Sequence, residues 1–284
     1  MNFRTPEIRE LIVRCIDEDR GDGDHSSLAG IPQGTQGQSR ILLKENGVVA
    51  GLELAGVILE TIDQNIVFTT HHRDGEHLPA GTLLAEASGS VHSLLLAERL
   101  LLNFMQRLSG IATQTAAMVK LTEGYKTKVL DTRKTTPGLR LLEKWAVKTG
   151  GGENHRIGLF DMIMLKDNHI DSAGGITAAV NRTTQYLKET GKTLKVEVET
   201  RNLAEVQEAL NTEKVDRIML DNFTPDLCAE AVKLIAGRCE TEASGGITEY
   251  NIVDYAKTGV EFISLGMLTH SVKSLDISMK TRML

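Results

Sequence analysis

From about residue 128 onward, short apolar runs alternate with amphipathic stretches of helical period. Strands are predicted at Val129–Asp131, Met162–Lys166, Leu194–Glu199, Arg217–Asp221, Thr241–Ser244 and Phe262–Gly266. Helices are predicted at Leu203–Leu210, Pro225–Ala236 and Glu249–Lys257, with Asn202, Thr224 and Thr248 standing where N-caps belong. Repeated β-α units imply parallel strands, in a doubly wound sheet or a closed barrel. The earlier part of the chain reads as mixed α and β. Strand-like runs at Arg40–Lys44, Gly47–Ala50, Ile66–Thr70 and Thr82–Ala87 precede a long helix from Leu94 to about Lys120, which Gly110 could interrupt.

The predicted strands finish on Asp131, Lys166, Glu199, Asp221, Ser244 and Gly266, and the last four ends are spaced by 22, 23 and 22 residues. One compact β-α unit has that length. Parallel α/β folds build their sites at the C-terminal ends of the strands, so these six residues are expected around one mouth.

Chain length and charge narrow the reading. The chain has 284 residues, is 41% hydrophobic and carries a formal net charge of −6. That suits one large α/β domain, or a barrel with a smaller domain attached, and gives no reason to invoke nucleic acid or an anionic membrane. Cys15, Cys228 and Cys239 form no CxxC pair, and the charged N-terminus lacks an apolar signal core, so a reduced, cytoplasmic protein is expected.

Four segments carry candidate chemistry. In residues 131–156, Arg133 and Lys134 follow a strand, and His155 and Arg156 follow the run Gly150-Gly151-Gly152. Guanidinium groups grip carboxylates as two-pronged forks, so two arginines at one mouth suit a ligand with two carboxylates. Lys166 ends an apolar strand and is expected to meet an anion. Glu197 and Glu199 share one face of their strand, and Asp221 ends the next. Carboxylates so placed can hold a divalent ion, Mg²⁺ by its preference for oxygen, or grip ribose hydroxyls; they can equally form ion pairs with Lys166 or Lys134. Ser244, Gly245, Gly246 and Gly266 expose backbone N–H groups, and a helix starting at Thr248 would complete a phosphate cradle. His71, His72 and His77 lack regular ligand spacing and read as a solvated loop. The acidic run Asp17–Asp24 fits no calcium-loop register, and Gly191-Lys192-Thr193 lacks the glycine a phosphate loop needs at position 186.

Taken together, ERLLLNFMQRLSGIAT (98–113), DTRKTTPGLR (131–140), KTGGGENHRIGLFDMIMLKDNHI (148–170), EVET (197–200), IMLDN (218–222), EASGGI (242–247) and SLGMLTHSVKSLDIS (264–278) resemble the quinolinate phosphoribosyltransferase family. EDRGDGDHSS (18–27) resembles the family's opening, with Arg20, His25 and Ser26 as departures. The resemblance implies an N-terminal α/β sandwich (residues 1–115, with the tail 272–284 packed back on it) and an incomplete, seven-stranded α/β barrel (116–271). It also implies a homodimer. Quinolinate carboxylates would fall to Arg99, Arg133, His155 and Arg156, with Arg99 reaching in from the partner subunit. Lys134 and Lys166 would lie near substrate and pyrophosphate, Glu199 and Asp221 at ribose and Mg²⁺, and Ser244, Gly245, Gly246 and Gly266 at the 5′-phosphate of phosphoribosyl pyrophosphate. Two other functions share these features: a phosphoribosyltransferase acting on a monocarboxylate such as nicotinate, and a barrel that binds a metabolite without catalysis.

Overall fold

The computed structural model describes all 284 residues, which divide into two compact units, Met1–Gln114 with Val272–Leu284, and Thr115–Ser271. The first contains α1 (Pro6–Arg20), α2 (His25–Gly30), β1 (Gln36–Leu43), β2 (Gly47–Val48), α3 (Leu52–Ile62), β3 (Val67–Thr70), β4 (His77–Leu78), β5 (Leu83–Ser90) and most of α4 (Val91–Leu121). The second contains β6 (Lys128–Leu130), α5 (Arg140–Thr149), β7 (Ile163–Leu165), α6 (Asp167–Ala173), α7 (Ile176–Thr190), β8 (Val196–Thr200), α8 (Leu203–Leu210), β9 (Arg217–Asp221), α9 (Pro225–Ile235), β10 (Glu240–Ser244), α10 (Ile252–Lys257), β11 (Phe262–Ser264) and α11 (Met267–His270). The closing strand β12 (Ile277–Met283) returns to the first unit.

In the first unit an antiparallel sheet of order β12-β1-β5-β3 is covered by α3 and α4. Strand β1 alternates, so Ile41 and Leu43 enter the core with Leu59, Leu101, Met105 and Ile277. Helix α4 runs unbroken through Gly110. The glycine is there for another reason: a Cβ would collide with the Lys273 carbonyl and meet Val272 Cγ1 at 3.0 Å. The histidine loop gathers no common centre. His71 faces Glu86 (3.2 Å), His72 faces Glu76 (2.8 Å), and Asp74 between them accepts the N–H groups of Gly51 (2.7 Å) and Leu52 (2.9 Å) at the start of α3.

In the second unit six parallel strands run in the order β6-β11-β10-β9-β8-β7. A parallel bridge between Leu130 and Glu153 adds a seventh strand position beside β6. No bridge joins Glu153 to β7, and the incomplete barrel stays open along that seam. Helices α8 and α9 start where the caps predict: Asn202 accepts the Glu205 N–H, and Thr224 accepts that of Leu227 with Pro225 in the first turn. The buried faces of Val196, Val198, Ile218 and Leu220 bind these helices to the strands.

Gly110→Val is expected to destabilise the protein by about 1–3 kcal/mol, because α4 and the segment before β12 must separate. Urea denaturation would show a lower midpoint with unchanged slope, and an unshifted midpoint would contradict the packing described.

Candidate active site

The C-terminal ends of the barrel strands surround a cavity of about 610 Å³. Its floor is polar. His155 is buried, with Nε2 lying 2.9 Å from Glu197 of β8 and 3.2 Å from Glu242 of β10. Glu242 is held in turn by Arg217 of β9 (2.9 Å), which also reaches Glu240 (2.9 Å) and stacks its guanidinium 4.0 Å from the Phe262 ring centre. Burial alone would lower the His155 pKa, but the two carboxylates overcome it and raise it to about 9. Burial, and Glu242 beside it, push Glu197 up to about 7. The backbone N of Arg156 lies 2.7 Å from His155 Nδ1.

Two arginines, Arg133 and Arg156, line the same cavity. Arg156 donates to the Met162 carbonyl (3.2 Å), and its loop is shaped by Asp161, which accepts the N–H groups of Ile157 (2.7 Å) and Gly158 (2.8 Å). Desolvation, then the nearby Arg133 charge, lower the Arg156 pKa. Arg133 Nε is buried and has no hydrogen-bond partner. A buried donor without a protein partner beside a second guanidinium suits an anionic ligand.

The remaining rim combines carboxylates with small residues. Lys166 Nζ donates to Glu199 (2.8 Å). Burial, then the Glu199 charge, raise the Asp221 pKa, and the Asn222 amide opposes them with a 2.7 Å hydrogen bond. Ser244 ends β10 and Gly245 and Gly246 follow it, both glycines in the left-handed region (φ +94° and +64°). Gly266 follows β11, where a Cβ would crowd Lys134 Cδ (2.9 Å) and the His270 ring (3.0 Å). One cavity therefore joins a paired-guanidinium pocket, two carboxylates with a lysine, and a backbone-lined pocket beside Lys134.

The quinolinate phosphoribosyl transferase N-terminal domain matches residues 24–109, and the corresponding C-terminal domain matches residues 111–280. The chain belongs to the quinolinate phosphoribosyltransferase family. It is 46% identical to quinolinate phosphoribosyltransferase [decarboxylating] 1b of Nicotiana tabacum, over 97% of this chain and 83% of that one. It is 43% identical to the probable nicotinate-nucleotide pyrophosphorylase [carboxylating] of Bacillus subtilis, over 96% of this chain and 93% of that one. The crystal structure of NadC from Streptococcus pyogenes superposes with a TM-score of 0.94 at 42% identity, covering all of both chains.

Within this family member, Arg133, Lys134, His155, Arg156, Lys166, Glu199, Asp221, Ser244, Gly245, Gly246 and Gly266 all line the cavity. Two expectations need correction. Asp131 does not face the mouth: its carboxylate is buried against the Lys144 ammonium and accepts the His155 N–H (2.9 Å), and burial raises its pKa to about 6. Thr248 caps no helix, since α10 begins only at Ile252 and Asn251 turns back to accept the Thr248 N–H (2.7 Å). Residues 244–248 therefore line the cavity as a loop, with no helix starting at Thr248 behind them. His155 lines the cavity while its two ring nitrogens face protein groups. Arg99 is exposed on α4 and is not among the cavity residues. Sequence reasoning missed His270, Asn222 and Glu242; the alternation of Glu240, Glu242 and Ser244 along β10 is the signal that could have found the last.

The carboxylates around His155 also make a pH-dependent contribution to stability. An imidazole in the unfolded chain titrates near 6.5, so the contribution is complete below that pH and is lost as the pH rises through about 9. Glu242→Gln removes one carboxylate and is expected to bring the His155 titration down from about 9 towards 6.5, read by ¹H–¹⁵N NMR. An unmoved titration would show that Glu242 does not set the charge of the floor.

Proposed function

We propose that this protein transfers the phosphoribosyl group of phosphoribosyl pyrophosphate to quinolinate with decarboxylation, giving nicotinate mononucleotide, CO₂ and pyrophosphate, a step of de novo NAD biosynthesis. The observation that carries this reading is the pair Arg133 and Arg156, adjacent cations in one cavity with a buried unpartnered N–H donor. A monocarboxylate would satisfy one guanidinium and leave the other without a counter-charge, which disfavours nicotinate as the substrate. The retained Lys166–Glu199 pair and Asp221 disfavour a barrel that only binds.

In this mechanism Arg133 and Arg156 hold the two carboxylates and aim the pyridine nitrogen at the anomeric carbon, with the protonated cluster below supporting the negative charge. Orientation of this kind is worth about 7–11 kcal/mol at best. The nitrogen–carbon bond forms as the carbon–oxygen bond to pyrophosphate breaks, and Glu199 and Asp221 stabilise the positive charge developing on the ribose. Lys134 and Lys166 neutralise the departing pyrophosphate. The neighbouring carboxylate then leaves as CO₂; the electron pair of the broken carbon–carbon bond stays on the ring carbon, stabilised by the adjacent pyridinium charge, and takes up a proton there.

Glu199 and Asp221 offer oxygen ligands, and the charge of one raises the pKa of the other, so the donor set fits a divalent cation. They would hold Mg²⁺, which when bound offsets the charge of the pyrophosphate. The chain is further proposed to act as a cytoplasmic homodimer in which the exposed Arg99 completes the partner's carboxylate pocket. The free thiols of Cys15, Cys228 and Cys239 suit a reducing compartment. No helix is long and apolar enough to cross a membrane.

Purified protein incubated with quinolinate, phosphoribosyl pyrophosphate and Mg²⁺ is expected to release CO₂ and nicotinate mononucleotide in equal amounts, with no product from nicotinate. Product from nicotinate without CO₂ would sink the dicarboxylate reading. Arg133→Ala is expected to weaken quinolinate binding by about 10–100-fold, the loss of hydrogen bonds to a charged group. Near-normal affinity in that variant would remove the arginines from the role given them. Arg99→Ala and Arg133→Ala proteins, each nearly inactive, are expected to recover about a quarter of wild-type activity when subunits are exchanged, since half the dimers are mixed and each has one intact site. No recovery on mixing would place Arg99 in its own subunit's site or in none.

A further inference from the structure

We propose that Asn222 is a positioning residue that locks the Asp221 carboxylate and the Ser244–Gly246 loop into one rigid edge, fixing the distance between ribose and 5′-phosphate. This rests on the phosphoribosyl reading of the cavity. Asn222 has a φ of +56°, a left-handed backbone that costs a non-glycine residue about 1–2 kcal/mol. Asparagine tolerates that region better than most side chains, and the structure uses its backbone N–H and its side-chain amide. The backbone N–H donates to the Ser244 carbonyl (2.8 Å), extending the pairing of β9 with β10 one residue past the end of β9. The side-chain Nδ2 donates to Asp221 Oδ2 (2.7 Å). The side-chain Oδ1 and Cγ fill the position a Cβ of Gly245 would take, with Cγ 2.7 Å from it.

The amide is therefore held between Asp221 and Gly245, both of which line the cavity. Asp221 ends β9 at the cavity rim, and the 2.7 Å hydrogen bond from the Asn222 amide fixes the orientation of its carboxylate. Gly245 needs the space, because its φ of +94° is combined with a side chain already lying where its own would begin. A ligand whose phosphate sits at residues 244–246 and whose ribose meets Asp221 would find this separation preset, and the backbone strain at Asn222 is the cost of presetting it.

Two single variants and one double variant test the proposal, with affinity for phosphoribosyl pyrophosphate in Mg²⁺ buffer measured by calorimetry and KM measured for both substrates. Asn222→Gly keeps the left-handed backbone and removes the amide. It is expected to fold with an unchanged or higher Tm, to weaken phosphoribosyl pyrophosphate binding about 10-fold, and to leave the quinolinate KM unchanged. Gly245→Ala is expected to abolish binding through the collision with Asn222. In the double variant Asn222→Gly/Gly245→Ala the collision partner is gone, so binding is expected to recover at least several-fold over Gly245→Ala alone. Wild-type affinity in Asn222→Gly, or costs that simply add in the double variant, would overturn the proposal. A wild-type protein that binds quinolinate but no phosphoribosyl pyrophosphate would overturn the phosphoribosyl reading, and this inference with it.

Discussion

Arg217 rises from β9 into the interior of the barrel, where Glu240 and Glu242 of the next strand meet it and the Phe262 ring lies against its guanidinium. Barrel interiors are usually filled by branched apolar side chains. Here Glu197, Arg217 and Glu242 are buried, and each depends on a neighbour for its counter-charge. Such chains of charge are expensive to desolvate, and apolar residues of similar volume often serve stability as well or better. Their presence is better explained by where the chain ends. It ends at His155, so the cavity floor is fixed in place and kept protonated by groups that never leave the strands.

The same arrangement resolves an apparent conflict of charge. The chain carries a net −6, yet its cavity must receive anionic ligands. The acidic groups of the floor are spent on Arg217 and His155, while Arg133 and Arg156 are left without carboxylate partners. The potential that matters is local, and a protein of negative sum can present a positive pocket when its carboxylates are committed elsewhere.

Much of this was legible in the sequence, and the failures have physical causes. The ends of β8, β9, β10 and β11 were located because parallel β-α units of equal length repeat with recognisable caps at Asn202 and Thr224. The direction in which a side chain leaves a strand end is set by packing, so Asp131 was assigned to the mouth when Lys144, thirteen residues on, had claimed it. Thr248 has the chemistry of a cap, but an asparagine three residues later competes for the turn and delays the helix. Gly110 reads as a breaker because sequence shows its conformational freedom and not the Lys273 carbonyl that needs its missing side chain. Asn222 and His270 carry no spacing signal; their roles depend on Gly245 and Gly266, with which they become neighbours only in the folded barrel.

The order of strands also constrains how a phosphoribosyl donor and a pyridine dicarboxylate can lie. From the open seam the rim passes residues 153–156, then Arg133 and Lys134 after β6, Gly266 after β11, Ser244–Gly246 after β10, Asp221 on β9, Glu199 on β8 and Lys166 after β7. The small-residue loops are therefore flanked by Lys134 on one side and Asp221 on the other. The guanidiniums and Lys166 lie on opposite banks of the seam. A phosphate bound at β10 and β11, with its sugar against Asp221 and Glu199, turns its anomeric carbon towards the ring held by Arg133 and Arg156. Pyrophosphate leaving from that carbon meets Lys134 or Lys166 on either side. In the opposite placement, with the ring at β10 and β11, its carboxylates would lie against Asp221, a like charge.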